Sequence, residues 1–277
     1  MRALDPEVFD PVWKAVEALL PAPPDQHPLG CHRRRVPNRL CFRGILIRLV
    51  TGCSWTTVEV LLDGAVSDTT LRSRRDEWIA AGVFETLATE ALAAYDRIIG
   101  LMLDEVAIDG SQHKAPCGGE GTGVNPVDKR KLGWKWSIAT DRNGIPFAYA
   151  FEAANRHDMI LLEPTLADAH QRGLLPEIGT LHLDRGYDYR TTRVTCAAYG
   201  IIDIVCPKKN WPGRGRVKVI PLGLRWPVER TNSWLAGYGQ LRRNTDRRHH
   251  HRRAQFQLAI VLVLTAKLVD WRNRWNR

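Results

Sequence analysis

Three acidic residues carry the chemistry that this sequence can do. Asp109 follows the run Leu103–Ile108 (LDEVAI) and precedes Gly110-Ser111, and Asp184 closes Leu181-His182-Leu183 ahead of Arg185-Gly186. Each pattern predicts a buried strand that opens into a turn at its carboxylate. Glu229 lies in Arg225–Asn232 (RWPVERTN), at or near a helix start, and is the only acid between Asp203 and Asp246. Buried carboxylates are costly unless paired, hydrogen-bonded or bound to metal. Three of them, from two strand ends and a helix, can hold two divalent ions about 3.5–4 Å apart. Oxygen donors without His or Cys favour Mg²⁺ or Mn²⁺. Such a centre activates an attacking water or hydroxyl and stabilises a leaving oxygen. The same residues also fit a plainer arrangement, in which the aspartates cap turns and Glu229 pairs with Arg225 or Arg230.

The elements that must position these acids begin near residue 101. Trp134–Thr140, the turn Asp141–Gly144 and Pro146–Glu152 predict a hairpin. Asp158–Arg172, Thr180–Leu183, Tyr189–Tyr199 and Ile201–Cys206 then alternate helix and strand. Hairpin strands followed by this alternation predict an α/β fold, a mixed sheet with flanking helices. Ser111–Leu132 reads as a mobile loop, residues 210–223 as a Gly/Pro/Lys/Arg loop, and Leu224–Tyr238 and Gln255–Trp271 as closing helices.

Residues 1–100 read as an all-α domain. Pro11–Leu20 has helical apolar spacing and stops at Pro21-Ala22-Pro23-Pro24. Arg33, Arg34 and Arg35 follow, then helices over Arg39–Leu49, Trp55–Leu62 and Thr69–Ala81, the last capped at Ser67-Asp68. Three short helices with glycine-containing turns fit a helix-turn-helix. The third would offer Thr69, Thr70, Arg72, Arg74 and Arg75 to DNA. A three-helix bundle with an arginine-rich solvent face fits them equally. The expected division is 1–100 and 101–277.

The chain has 277 residues, 44% hydrophobic and 25% charged, which excludes disorder throughout. The longest apolar stretch, near Leu258–Leu264, falls short of the ~18–20 residues of a membrane span. Met1–Asp10 lacks a signal-peptide pattern. The expectation is a soluble cytoplasmic protein with no membrane partner. Six cysteines without C-x-x-C spacing argue against structural zinc. His249-His250-His251, flanked by arginines, reads as part of a basic block. The net charge of +10 is unevenly spread. Residues 207–277 hold 17 Lys+Arg against 3 acids, and the rest of the chain is slightly acidic. A basic block of that size points to a polyanion. Lys129, Arg130, Lys131 and Lys135 lie beside the predicted loop and can track phosphates, unless the hairpin is simply solvated there. Trp134, Trp136, Trp226 and Trp234 read as core rather than base-stacking groups.

Several segments match one family in order. They are Thr51–Trp55, Trp78–Leu87 (WIAAGVFETL), Ile108–Ser111, Asn155–Asp158 (NRHD), Leu183–Asp188 (LDRGYD) and Arg225–Leu235 (RWPVERTNSWL). Together they resemble DDE-type bacterial insertion-sequence transposases, in particular the insertion sequence five group. The resemblance implies an RNase H-like catalytic domain with Asp109, Asp184 and Glu229 as catalytic residues and as ligands of two Mg²⁺ or Mn²⁺ ions. Spacings of 75 and 45 residues between these acids suit that fold without a large inserted domain. Related elements place an Arg four residues before the Glu, matched by Arg225. Their Tyr three residues earlier is Leu222 here, and their Lys seven residues after the Glu is Ala236. Arg230, Arg242 and Arg243 then stand in for the terminal-phosphate contacts. Asp188 fits a turn cap or a supporting acid, and His157 either faces the site or is a solvated helix-start residue.

The resemblance further implies double-stranded DNA, the terminal inverted repeats and the target, as partner, and a homodimer on DNA to pair two ends. A DNA-binding repressor or inactive remnant, and a metal-dependent nuclease that never joins strands, remain alternatives on the sequence alone. The basic block carries one prediction. DNA affinity should fall steeply with salt, by roughly 0.9 log units per log unit of salt for each phosphate neutralised. A filter-binding or anisotropy titration at several salt concentrations measures that slope, and a flat response would count against this placement of the charge.

Overall fold

The computed structural model describes residues 2–22, 35–207 and 224–275. The chain folds into two compact units. One comprises Met1–Ile99, Leu235–Asn244 and Arg248–Arg277; the other comprises Gly100–Trp234 and Thr245–Arg247. The chain therefore turns from one unit to the other near residue 100. The expected span of 101–277 for the second part differs from this, because the last helices pack with the N-terminal ones.

The first unit is all helical. Helices α1 (Pro6–Leu19), α2 (Asn38–Thr51), α3 (Trp55–Leu61), α4 (Asp68–Ala80) and α5 (Val83–Ile98) come from the N-terminal segment. Their starts follow capping chemistry. Asp5 accepts from the Glu7 amide, Ser54 from Thr57 and Ser67 from Thr70. The α1 residues Val8, Phe9, Val12, Trp13 and Val16 are buried, the stripe expected of an amphipathic helix. Helix α2 ends at Gly52 with φ 75°, and the backbone of Gly239 packs there so closely that a Cβ on either glycine would clash with the other segment. The longest helix of this unit, His249–Trp275, is long and apolar enough to cross a membrane by length and composition. Its residues Phe256–Leu264 are buried instead, packed mainly against α5 and α1, as in the core helix of a globular bundle.

The second unit is a six-stranded mixed sheet with helices, the α/β class expected. Its strands are β1 (Glu105–Lys114), β2 (Gly123–Val124), β3 (Leu132–Thr140), β4 (Pro146–Ala153), β5 (Thr180–His182) and β6 (Ile204–Val205). Antiparallel pairs join β2 and β4 to β3 and join β3 to β1; parallel pairs join β1 to β5 and β5 to β6. Helix α6 (Met159–Gln171) leads from β4 to β5, and α7 (Arg190–Ala198) crosses from β5 to its parallel neighbour β6, as parallel pairing requires. Two sequence expectations change here. Strand β1 continues through Asp109 to Lys114, so Ser111–Lys114 is ladder rather than loop. The reason is pairing with β3, whose register runs unbroken from Ala107↔Thr140 to Lys114↔Gly133. The predicted loop at 210–223 lies outside the described residues.

Helix α6 docks on one sheet face through Thr165 Oγ1, which meets Ser137 Oγ at 2.9 Å. On the opposite face Trp136 Nε1 donates to Asn232 Oδ1 at 2.8 Å. Asn232 belongs to the helix Trp226–Ala236, numbered α8, so the helix that carries Glu229 is fastened to the central hairpin strand. The β3–β4 turn is built on Asp141, which is fully buried. Its carboxylate accepts from the amides of Met102, Asn143 and Ile145 at 2.8–3.1 Å. Burial outweighs those bonds and raises its pKa. Asp141→Ala leaves three turn amides, that of Ile145 fully buried, without this acceptor. The expected loss is about 3 kcal/mol, read as a lower urea midpoint at an unchanged slope.

Candidate active site

Two of the acids meet because of strand register. The parallel pair β1–β5 aligns Glu105, Val106 and Ala107 with Thr180, Leu181 and His182. Extended backbone continues past β5: Leu183 still donates to the Val205 carbonyl, and Asp184 has φ −78° and ψ 171°. Two more steps in the same register bring Asp184 beside Asp109 on strands about 4.8 Å apart. Asp184 then turns the chain, as the sequence predicts, with Oδ1 accepting from the Gly186 amide at 2.6 Å. Gly186 is needed there, since a Cβ would stand 2.7 Å from that same oxygen.

Asp109 lies opposite Ile138 on β3 and so shares a face with Trp136 and with α8. Its pKa is pushed up to about 6. Burial is the main cause, the Asp184 and Asp158 charges add to it, and Arg225 and the Gly110 amide oppose it. Arg225 also pairs with Glu229 at 3.2 Å. The guanidinium thus links the third acid to the first, although the Glu229 side chain is 56% exposed. The segment before α8 is tied to β5 by the Leu224 amide, which donates to His182 Nδ1 at 3.1 Å. Further along, Thr231 Oγ1 donates to the Gly144 carbonyl and Arg230 to that of Asn143, which seats α8 on the β3–β4 turn.

The donor chemistry suits a divalent ion at Asp109 and Asp184. Two neighbouring carboxylates, one of them with its pKa raised by burial and like charge, are only partly offset by the Arg225 guanidinium. Among the described residues no three His, Cys, Asp or Glu side chains converge on one ion position. Glu229 faces Arg225 instead.

The remaining expected site residues are scattered. Arg33, Arg34 and Leu222 lie outside the described residues. Arg35 pairs with Glu77. Thr69 and Arg72 are exposed on α4, with Arg72 pairing to Asp68, and Thr70 bonds to the Ser67 cap. Arg74 and Arg75 are a correction: they are buried and do not face solvent. Arg74 bonds to Asn38 and the Val36 carbonyl, and Arg75 lies 5.2 Å from the Trp55 ring centre and pairs with Asp76. His251, read as part of the basic block, is likewise buried against Asp76 at 2.9 Å. Lys131 is exposed, whereas Lys135 is buried and bonded to Asp158, so it cannot contact phosphate. Arg230 is also committed, stacked between Trp226 and Trp234 at 4.4 and 4.7 Å. Trp134 and Trp136 are core as expected, but Trp226 is 54% exposed. Arg242 and Arg243 are exposed at α9 (Gly239–Arg242) and just beyond it, in the helical unit.

Asp188 pairs with Arg193, and His157 is an exposed ring edge-on to Tyr189. Asp158, Lys135 and Tyr187 surround the site, yet residue type and spacing do not mark them as its acids or supports. Their available signals are a lysine inside the strand WKW and the NRHD and RGYD segments.

Residues 101–264 match the family described as "Transposase DDE domain". The chain belongs to the DDE transposase family. Residues 8–88 match a second description, "Putative transposase of IS4/5 family". The transposase is 35% identical over 148 residues to "Putative transposase for insertion sequence element IS402" of Burkholderia cepacia, covering 51% of this chain and 67% of that protein. It is 31% identical over 121 residues to "Insertion element IS402 uncharacterized 16.2 kDa protein" of the same organism, covering 44% and 82%. A solved "Mos1 transposase paired-end complex with left transposon end" is similar at TM-score 0.25 and 10% identity, over 67% of this chain and 62% of that one. In that comparison less than two thirds of the Mos1 chain is covered.

The Asp109 environment generates a prediction for the transposase kept free of divalent ions with chelator. A folded-state pKa of about 6 against an ordinary 3.8 means that the folded protein is penalised when Asp109 is ionised. That penalty is complete above about pH 6 and absent below about pH 4. Asp109→Asn removes it. The variant should be more stable than wild type at pH 7, by at most about 3 kcal/mol, and no more stable at pH 3.5. Denaturant titrations at the two pH values measure the difference.

Proposed function

We propose that this transposase cuts DNA at the ends of its element and joins the freed 3′-hydroxyls to target DNA. The observation that carries the reading is the register-enforced pairing of Asp109 and Asp184, with Glu229 tethered to the same place through Arg225. Asp109, Asp184 and, once released from Arg225, Glu229 would hold two Mg²⁺ or Mn²⁺ ions. Bound there, the ions supply Lewis-acid activation of the attacking oxygen and charge stabilisation at the leaving 3′-oxygen. The chain's own groups do the rest. Asp109 and Asp184 sit on paired backbone and give a fixed pair of oxygen donors. Tyr187 is buried beside them and stays protonated, because burial and the charges of Asp158, Asp109 and Asp184 raise its pKa. Arg225, freed from Glu229, becomes available to a DNA phosphate.

Both cutting and joining are in-line displacements at phosphorus by water or by a 3′-hydroxyl, with no covalent protein intermediate. Recognition of the terminal inverted repeats is assigned to α3 and α4, with Thr69 and Arg72 on the exposed side of α4. Pairing two ends calls for two protomers.

Labelled terminal-repeat DNA incubated with the protein and Mg²⁺ tests the reading. Cleavage with strand transfer supports it. Cleavage alone indicates a nuclease, and shifted but uncut DNA indicates a repressor. Asp109→Ala should abolish cutting while the DNA mobility shift is nearly kept; retained cutting would show that the acids are wrongly assigned.

A further inference from the structure

Lys135 stands at a position where a lysine is unexpected. It lies in β3 between two core tryptophans and is 1% exposed. A buried ammonium persists only where its hydrogen bonds are well met. Here Nζ donates to the Arg156 carbonyl at 2.5 Å and to Asp158 Oδ1 at 2.7 Å. Both partners belong to the segment leading into α6.

Asp158 in turn rests on β1. A Cβ placed on Gly110 would stand 2.8 Å from Asp158 Oδ1 and 3.1 Å from its Cγ. Gly110 follows Asp109 and presents the opposite face of the strand. The missing side chain at 110 therefore admits Asp158 to the back of β1, behind the first acid. Tyr187, three residues past Asp184, is buried within the field of Asp158, Asp109 and Asp184. Lys135 is thereby connected, through Asp158 and Gly110, to the strand that carries Asp109.

We propose that Lys135 is a positioning residue for the reacting carboxylates: it holds Asp158 against Gly110 and so sets β1 at Asp109 against the end of β5. The role rests on the reading of Asp109 and Asp184 as ion-holding acids. Lys135 touches neither of them and acts through Asp158. Its charge pairs with that of Asp158, whose carboxylate is felt at Asp109.

The test uses the full chain and two measurements, Mn²⁺ binding to DNA-free protein by calorimetry and cleavage of terminal-repeat DNA. Lys135→Met alone leaves the 41%-exposed Asp158 carboxylate without its partner cation, so its effect mixes charge with geometry. The paired variant K135M/D158N is neutral overall, as the wild-type pair is, so a changed ion affinity in it reports geometry rather than charge. It should melt near wild type, bind Mn²⁺ about tenfold more weakly and cut about tenfold more slowly, with KM for DNA unchanged. Gly110→Ala attacks the same contact from the other side and should give the same weakening while leaving Lys135 and Asp158 in place. Folded variants whose Mn²⁺ affinity and rate stay within about twofold of wild type overturn the proposal. Wild-type protein that neither takes up Mn²⁺ nor cuts overturns the reading of the site and this role with it. Wild type that does both, beside unchanged variants, overturns this role alone.

Discussion

A three-residue parallel ladder between β1 and β5 governs the catalytic unit. It aligns Ala107 with His182 and carries Asp109 and Asp184 side by side two residues later. Neighbouring carboxylates repel, and burial of one makes the repulsion stronger. The backbone hydrogen bonds impose the juxtaposition regardless, and the disfavoured electrostatics appear as the raised pKa of Asp109. Burial is the larger part of that shift, and the Arg225 guanidinium offsets some of it.

Helix α8 is held in a different manner. Its backbone is seated by Thr231 and Arg230 on the β3–β4 turn and by Asn232 on Trp136. The turn itself stands on the buried Asp141 carboxylate. Glu229, by contrast, points to Arg225 and remains more than half exposed. The helix is fixed while the Glu229 side chain lies at its surface, paired with Arg225.

Arginine does two jobs in the helical unit. Arg72 meets solvent, whereas Arg74, Arg75 and Arg252 are buried. Arg48 and Arg75 lie on Trp55 from distances of 4.5 and 5.2 Å. A guanidinium is flat, weakly hydrated and able to stack on aromatic faces, so arginine-rich segments can build a core as well as a DNA-facing surface. A count of positive residues overstates the positive surface for that reason. Arg230, between its two tryptophans, repeats the pattern beside the active site.

Much is legible in the chain itself. The helix cap at Ser67, the turn at Asp141–Gly144 and the order of hairpin and crossover elements follow from local chemistry, because caps and turns act over two to four residues. The motifs around Asp109, Asp184 and Glu229 single them out as candidate acids. Local pattern misleads where pairing takes over: Asp109 has the pattern of a strand end, but β3 extends β1 past it. Nor can it distinguish a lysine that tracks phosphate from one that bonds Asp158, or an exposed arginine from a stacked one. Those outcomes depend on partners tens of residues away. The sequence by itself determined which residues can do the chemistry and the local elements on which they lie, since both depend on residue type and short spacing. Only the tertiary structure decided that Asp109 faces Asp184, that Arg225 holds Glu229, and which charges are spent inside the fold, because register and burial arise from contacts between distant segments.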